Sequence, residues 1–244
     1  MEQAVPGGNT NRSQLRAPRC RFCAIADGQP SHWTDSVLFE TQSYVVIASI
    51  GAIVPGWTMV VPREHTLNLS GALLDPEFSD LRIRVAAILT KEYPACTVRF
   101  FEHGAQTPTT RIACGVDHAH LHLVPLARSL GPSLRHQPTP ATWRHLPLST
   151  IPEAVAGSEY LLYSDDAQRL NPPCWLALPT NPVSQFFRRT LAAIAGKPEH
   201  FDYREHPFLS NVASTQHTLL RSTTGIAPAP SHDANHLPSP EGRE

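Results

Sequence analysis

Residues 117–124 read DHAHLHLV, with histidines at 118, 120 and 122 and only Ala and Leu between them. On a strand, side chains two positions apart share a face and rise about 6.6 Å per pair. The spacing predicts His118, His120 and His122 on one face, with Ala119, Leu121 and Leu123 packed into a core on the other and Pro125 ending the strand. Three imidazoles in strict register opposite an apolar face indicate a built site, either a metal centre or a catalytic strand. Imidazole has an ordinary pKa near 6.5, so its neutral form is available at pH 7 as ligand or nucleophile.

The flanking sequence supplies a frame for such a strand. SVLFETQSYVVIAS (36–49) reads as two short strands around a Thr-Gln-Ser turn, and WTMVVP (57–62) as a third. From 75 to 93, apolar residues at 78, 81, 85, 88 and 89 fall on one helical face, with Asp75 as N-cap and Pro76 at the first helical position. CTVRFFEHG (96–104) returns to strand. The order β-β-β-α-β-β predicts an α+β fold, an antiparallel sheet with one main helix. After about 128 prolines multiply and 129–150 looks loop-like. SEYLLYSD and CWLALP then suit a hairpin across DAQRLNPP. SQFFRRTLAAIAG suits a helix with Ser184 as N-cap and Gly196 past its end. The expected organisation is a disordered N-terminus (1–18), a catalytic domain (19–128), an extension packed on it (129–221) and a disordered tail (222–244).

The formal net charge of −1 gives no basic field for nucleic acid or acidic membranes. No segment approaches about 18 consecutive apolar residues, so no membrane span is expected and a cytoplasmic location is the default. Five cysteines are odd in number, and two form C-R-F-C. In a reducing compartment that pattern favours metal or redox chemistry over a disulfide framework. A redox C-x-x-C ordinarily follows a strand in a βαβ unit, and none surrounds this one.

Four blocks in order carry a resemblance. HAHLHLV fits the His-φ-His-φ-His-φ-φ signature, φ being apolar, of the histidine triad (HIT) superfamily of nucleotide hydrolases and transferases. CRFCAI looks like the cysteine entry of its zinc-containing members, GAIVPGWTMVVPREH like their strand closing in P-x-x-H, and FFEHG like a strand ending in Asn-x-Gly. Together they cover about 20–126. The resemblance implies an HIT-like sheet, a nucleotide substrate, a homodimer and a structural zinc on Cys20, Cys23, His65 and His118. It makes His120 the nucleophile that forms a nucleotidyl-histidine intermediate, with His122 beside the leaving oxygen.

Carried over residue by residue, the resemblance also maps a substrate site. Glu102 and Gly104 stand in the Asn-x-Gly block, and Ser49 takes the ribose-binding acid's place. Phe22, Ile25 and Ile47 fall near the base pocket. In the turn 113–116, Gly115 and Val116 are expected to offer backbone N–H groups to phosphate. Gln185, Arg188 and Arg189 open a helix of the extension, and Arg is a natural bidentate partner of phosphate. Histidine rather than glutamine at the third triad position favours hydrolysis over nucleotidyl transfer. A transferase or phosphorylase, a nucleotide-binding protein without turnover, and a catalytic metal on all three triad histidines are the alternatives.

Overall fold

A computed structural model describes residues 20–134 and 142–223. The expected N-terminal stretch 1–18, most of the expected tail, Pro138 and Pro140 lie outside the described residues. In chain order the elements are α1 (Arg21–Ala26), β1 (Val37–Glu40), β2 (Tyr44–Ala48), β3 (Thr58–Pro62), α2 (Pro76–Glu92), β4 (Thr97–Gly104), β5 (Leu121–Leu126) and α3 (Gly131–Leu134). β6 (Arg144–Pro147), α4 (Ile151–Val155), β7 (Tyr160–Ser164), β8 (Pro173–Ala177), α5 (Phe186–Ile194) and α6 (Leu209–Thr223) follow. The strands form one eight-stranded antiparallel sheet in the order β1-β2-β3-β5-β4-β7-β8-β6, so the mixed α+β class is as expected.

The triad strand lies inside the sheet, between β3 and β4, but its ladder begins only at Leu121. His122 is within it, opposite Met59 on one side and Phe101 on the other. His118 and His120 occupy the lead-in to the strand, tied by Ala119 N–H to the Thr66 carbonyl at 2.7 Å. Pro125 does not end the strand. It pairs with Val98 of β4, while the β3 ladder stops at Thr58 opposite Leu123, so no bond on that flank needs the missing N–H.

α2 starts where expected: the Asp75 carboxylate accepts the Glu77 N–H at 3.0 Å, with Pro76 next. β7 and β8 make the anticipated hairpin, and β7 pairs along β4, so the later residues continue the same sheet. Ser184 does not cap α5. The chain enters that helix through Gln185 in a left-handed conformation (φ 58°) with no side-chain cap. The short helices α1, α3 and α4 escape the sequence reading, as do two further elements. β6 is a mostly exposed edge strand with no apolar alternation to announce it. α6, LSNVASTQHTLLRST, is rich in Ser and Thr and is held by burial of Val212 and Leu219 beside α2 and the sheet.

Alternation divides the core. One sheet face carries Val46, Val60, Leu121, Leu123 and Phe100 against α2 and α6. The other face has two patches. Val45, Ile47, Met59 and Val61 lie under Phe22 and Ile25 of α1, while Phe101, Val124, Leu161 and Tyr163 lie under Phe186, Phe187 and Leu191 of α5. His120 and His122 are on this second face, where the two patches leave a cavity.

Glu102 points into the first face. It accepts the Leu69 N–H at 2.6 Å and the Tyr160 hydroxyl at 2.7 Å, and is 1% exposed. Burial outweighs these two bonds and raises its carboxyl to about 7. Because the folded value lies above the ordinary 4.5, the associated stability is complete below about pH 4.5 and is lost as pH rises through about 7. The shift corresponds to about 3 kcal/mol. Glu102→Gln keeps both partners through its amide and is expected to flatten stability over this window in urea unfolding. An unchanged pH slope would mean that Glu102 is ionised in the folded chain.

Candidate functional site

Cys20 immediately precedes α1 and Cys23 sits one turn into it, so both thiols reach the same side. Cys20 Sγ is 3.3 Å from His118 Nδ1, and Cys23 Sγ is 3.3 Å from His65 Nδ1 and 3.5 Å from His118 Nδ1. All four donor atoms lie within 4.8 Å of one another. A zinc tetrahedron with Zn–S near 2.3 Å and Zn–N near 2.0–2.1 Å has N···S edges of about 3.5 Å, so the set fits that ion. His118 Nε2 donates to the Pro62 carbonyl at 2.9 Å, which leaves its Nδ1 lone pair toward the thiols. The cluster would fasten α1 to the segment after β3 and to the lead-in of β5.

The His118 backbone carbonyl takes the next bond. His120 Nδ1 lies 2.8 Å from it and must donate, so the His120 Nε2 carries a free lone pair on the cavity wall. The ring packs edge-on against Phe22 at 5.2 Å and against His122 at 4.7 Å. Burial holds His120 below the usual imidazole range, against the raising effect of its bond to the His118 carbonyl. His122, stacked on Phe101 at 4.5 Å, is driven well below that range, first by burial and then by His120, His103 and Arg188. Its Nδ1 accepts the Trp57 indole N–H at 2.9 Å.

Phe22, Ser49, Val116 and Arg188 line the cavity with the two histidines. Cys114, also on the wall, has its thiol raised to about 11 by burial. Arg188 is 5% exposed and makes no ion pair among the described residues. It donates to the Phe201 carbonyl at 2.9 Å and to the Gly51 carbonyl, and lies 5.0 Å over Trp57. Burial lowers it to about 10, so it remains a cation at neutral pH.

Seven residues mapped to the substrate site stand elsewhere: Ile25 and Ile47 pack in the core between α1 and the sheet, Arg189 lies over the Phe201 ring, and four more lie off the cavity wall. Glu102 faces the opposite side of the sheet because strand period places 101 and 103, not 102, on the cavity face. Gly104 shares the side of Glu102 and makes room for the Tyr160 ring, which a Cβ would meet at 2.2 Å. Gln185 sits behind the wall, accepting the Tyr203 N–H at 3.4 Å, while its own N–H goes to Cys114 Sγ at 3.0 Å. Gly115 is left-handed (φ 82°), and Arg204 Nη2 occupies the space 2.2 Å from where its Cβ would be. The turn's own carbonyls take the N–H groups of Ala113, Cys114 and Val116, so the expected amide cradle is largely spent.

His103, Trp57, Arg21 and Tyr203 are the residues the sequence reading missed. His103 lines the cavity with an unpartnered buried Nε2, and burial pushes it down to about 3, with His120 and Arg188 adding. Strict alternation through FFEHG would have selected His103 over Glu102. No local signal announces Tyr203, which a loop of the extension brings to the cavity rim.

No family model matches the chain. An uncharacterized HIT-like protein of Mycobacterium tuberculosis, found in strains CDC 1551 and H37Rv, is 31% identical over 129 residues, spanning 49% of this chain and 83% of that protein. Among solved structures, a hypothetical histidine triad nucleotide-binding protein from Sulfolobus tokodaii is 20% identical, covering 45% of this chain and 70% of its own (TM-score 0.37). A Zn-bound histidine triad family protein from Mycobacterium smegmatis is 23% identical, covering 44% and 74% (TM-score 0.32).

The donor cluster makes a direct prediction. Purified protein is expected to hold about one zinc per chain by elemental analysis, with loss in Cys23→Ser and retention in His120→Ala. Equal zinc in the wild type and Cys23→Ser would remove this cluster as the site.

Proposed function

The chain belongs to the histidine triad (HIT) superfamily, and we propose that it is a hydrolase of nucleotidyl phosphate bonds working through a nucleotidyl-His120 intermediate. The observation that carries this reading is the His120 tautomer: Nδ1 is committed to the His118 carbonyl and Nε2 faces the cavity as a lone pair. A ring anchored on one side is aimed as well as activated, which lowers the entropic cost of in-line attack.

The rest of the wall suits an anionic phosphate ester. Arg188 is a buried cation without an ion pair among the described residues, and Arg21, paired with Asp35, stands on the same wall. Phe22, Ile50 and Met59 give that wall apolar surface on which a nucleobase could pack. His122, its Nε2 proton toward the cavity, hydrogen-bonds the oxygen that leaves. Zinc, when bound to Cys20, Cys23, His65 and His118, supplies structural cross-linking rather than reaction chemistry, since four protein donors fill a tetrahedron.

A nucleotide panel radiolabelled at the α-phosphate, quenched in mild base during turnover, is expected to yield an acid-labile adduct on His120. His120→Ala should lose both the adduct and turnover, the latter by about 10³-fold or more. Label recovered as free nucleotide assigns hydrolysis, and label passed to an added acceptor assigns transfer. Tight nucleotide binding without any adduct would make the chain a binder and end this reading.

A further inference from the structure

The Trp57–His122 bond has a chemical consequence for the reaction. An indole N–H can only donate, so the accepting Nδ1 of His122 carries no proton and the ring's single proton is on Nε2. A second proton on Nδ1 would set two donors against each other at 2.9 Å in a buried contact. Trp57 cannot turn away. It is fully buried, edge-on to His122 at 5.7 Å and to Phe101 at 5.6 Å, with the Arg188 guanidinium 5.0 Å over its ring. That same cation opposes any positive charge on His122.

His122 therefore cannot become an imidazolium, and giving away its remaining proton would leave an imidazolate. It can hydrogen-bond a departing oxygen without protonating it. Neither His103 nor Cys114, two further titratable groups of the wall, replaces it. His103 is uncharged near neutrality, and the Cys114 thiol is turned to the Ile112 carbonyl at 3.2 Å.

We propose that Trp57 is a positioning residue that fixes His122 as a pure hydrogen-bond donor, and so restricts the enzyme to leaving groups that depart as stable anions, such as the phosphate side of a phosphoanhydride. Unactivated alkoxides and amines, which must be protonated to leave, are excluded. This inference rests on the nucleotidyl-His120 reading above. In the first step the His120 Nε2 lone pair forms the N–P bond while the P–O bond to the leaving group breaks, its electron pair departing on that oxygen. No proton moves, and His120 Nδ1–H stays on the His118 carbonyl. In the second step a water oxygen bonds to phosphorus, the N–P electrons return to Nε2, and the water proton goes to solvent.

The test uses aryl esters of adenosine and guanosine 5′-monophosphate, graded in leaving-group acidity, together with the corresponding phosphoramidates. The full-length wild type is expected to show a steep dependence of kcat/KM on leaving-group pKa and negligible phosphoramidate turnover. Trp57→Phe frees His122 to protonate and is expected to cut the preference for acidic leaving groups by about tenfold or more. Long-range ¹H–¹⁵N correlations should show His122 as the Nε2–H tautomer in the wild type and a mixture in Trp57→Phe, a change that looser packing alone would not produce. If Trp57→Phe fails to fold, the wild-type slope and tautomer still decide. A flat slope, or a doubly protonated His122, overturns the proposal. A flat slope alongside a trapped His120 adduct sinks only the role of Trp57, whereas the absence of any adduct sinks the underlying reaction.

Discussion

His118 is the residue on which the site depends, because three bonds meet on it. Its Nδ1 faces the thiols of Cys20 and Cys23, its Nε2 donates to the Pro62 carbonyl, and its own carbonyl receives the His120 ring. The metal-type cluster and the candidate nucleophile are thus consecutive links of one chain of contacts. A shift in the N-terminal helix would reach His120 through a backbone atom only two residues away. That is a short path, and it gives a cluster with no place in the chemistry a direct hold on it.

The cavity needs contributions from distant parts of the sequence. α1 brings Phe22 and Arg21, the strands bring Met59, His103 and His122, and the later segments bring Arg188 and Tyr203. The sheet runs unbroken from β1 to β6, so the residues after 128 are joined to the triad strand through β4 by backbone hydrogen bonds. Arg188 gains its low exposure from this arrangement, with its N–H groups anchored on carbonyls at residues 51 and 201. A cation whose N–H groups are anchored on neutral carbonyls keeps charge available to a ligand.

Much of this was legible in the sequence. Period-two spacing put His120 and His122 on one face, Asp75-Pro76 marked the start of α2, and the family resemblance named the four Cys and His donors that the fold brings together. What failed has physical causes. Matching FFEHG by its glycine chose Glu102, while the pleat turns His103 to the cavity. The glycine at 115 was read as a phosphate approach but makes space for Arg204. α6 carries few strong helix formers, and packing, which no local pattern encodes, decides its state. Trp57 looked like one more apolar strand residue, since nothing in a linear sequence reveals which ring its N–H will meet.

The last helix also reaches back to Trp57. Asn211 donates to the carbonyls of Ala52 and Ile53, at 2.8 and 3.2 Å, and Thr215 Oγ1 accepts the Gly56 N–H at 2.8 Å. The loop that presents the indole therefore has its bonding partners more than 150 residues downstream. At synthesis rates of about 5–20 residues per second, these partners arrive on the order of ten seconds after the loop itself. On the ribosome the triad strand can pair with β3 and β4 well before the loop ahead of Trp57 is fixed, so ordering of the cavity waits for α6.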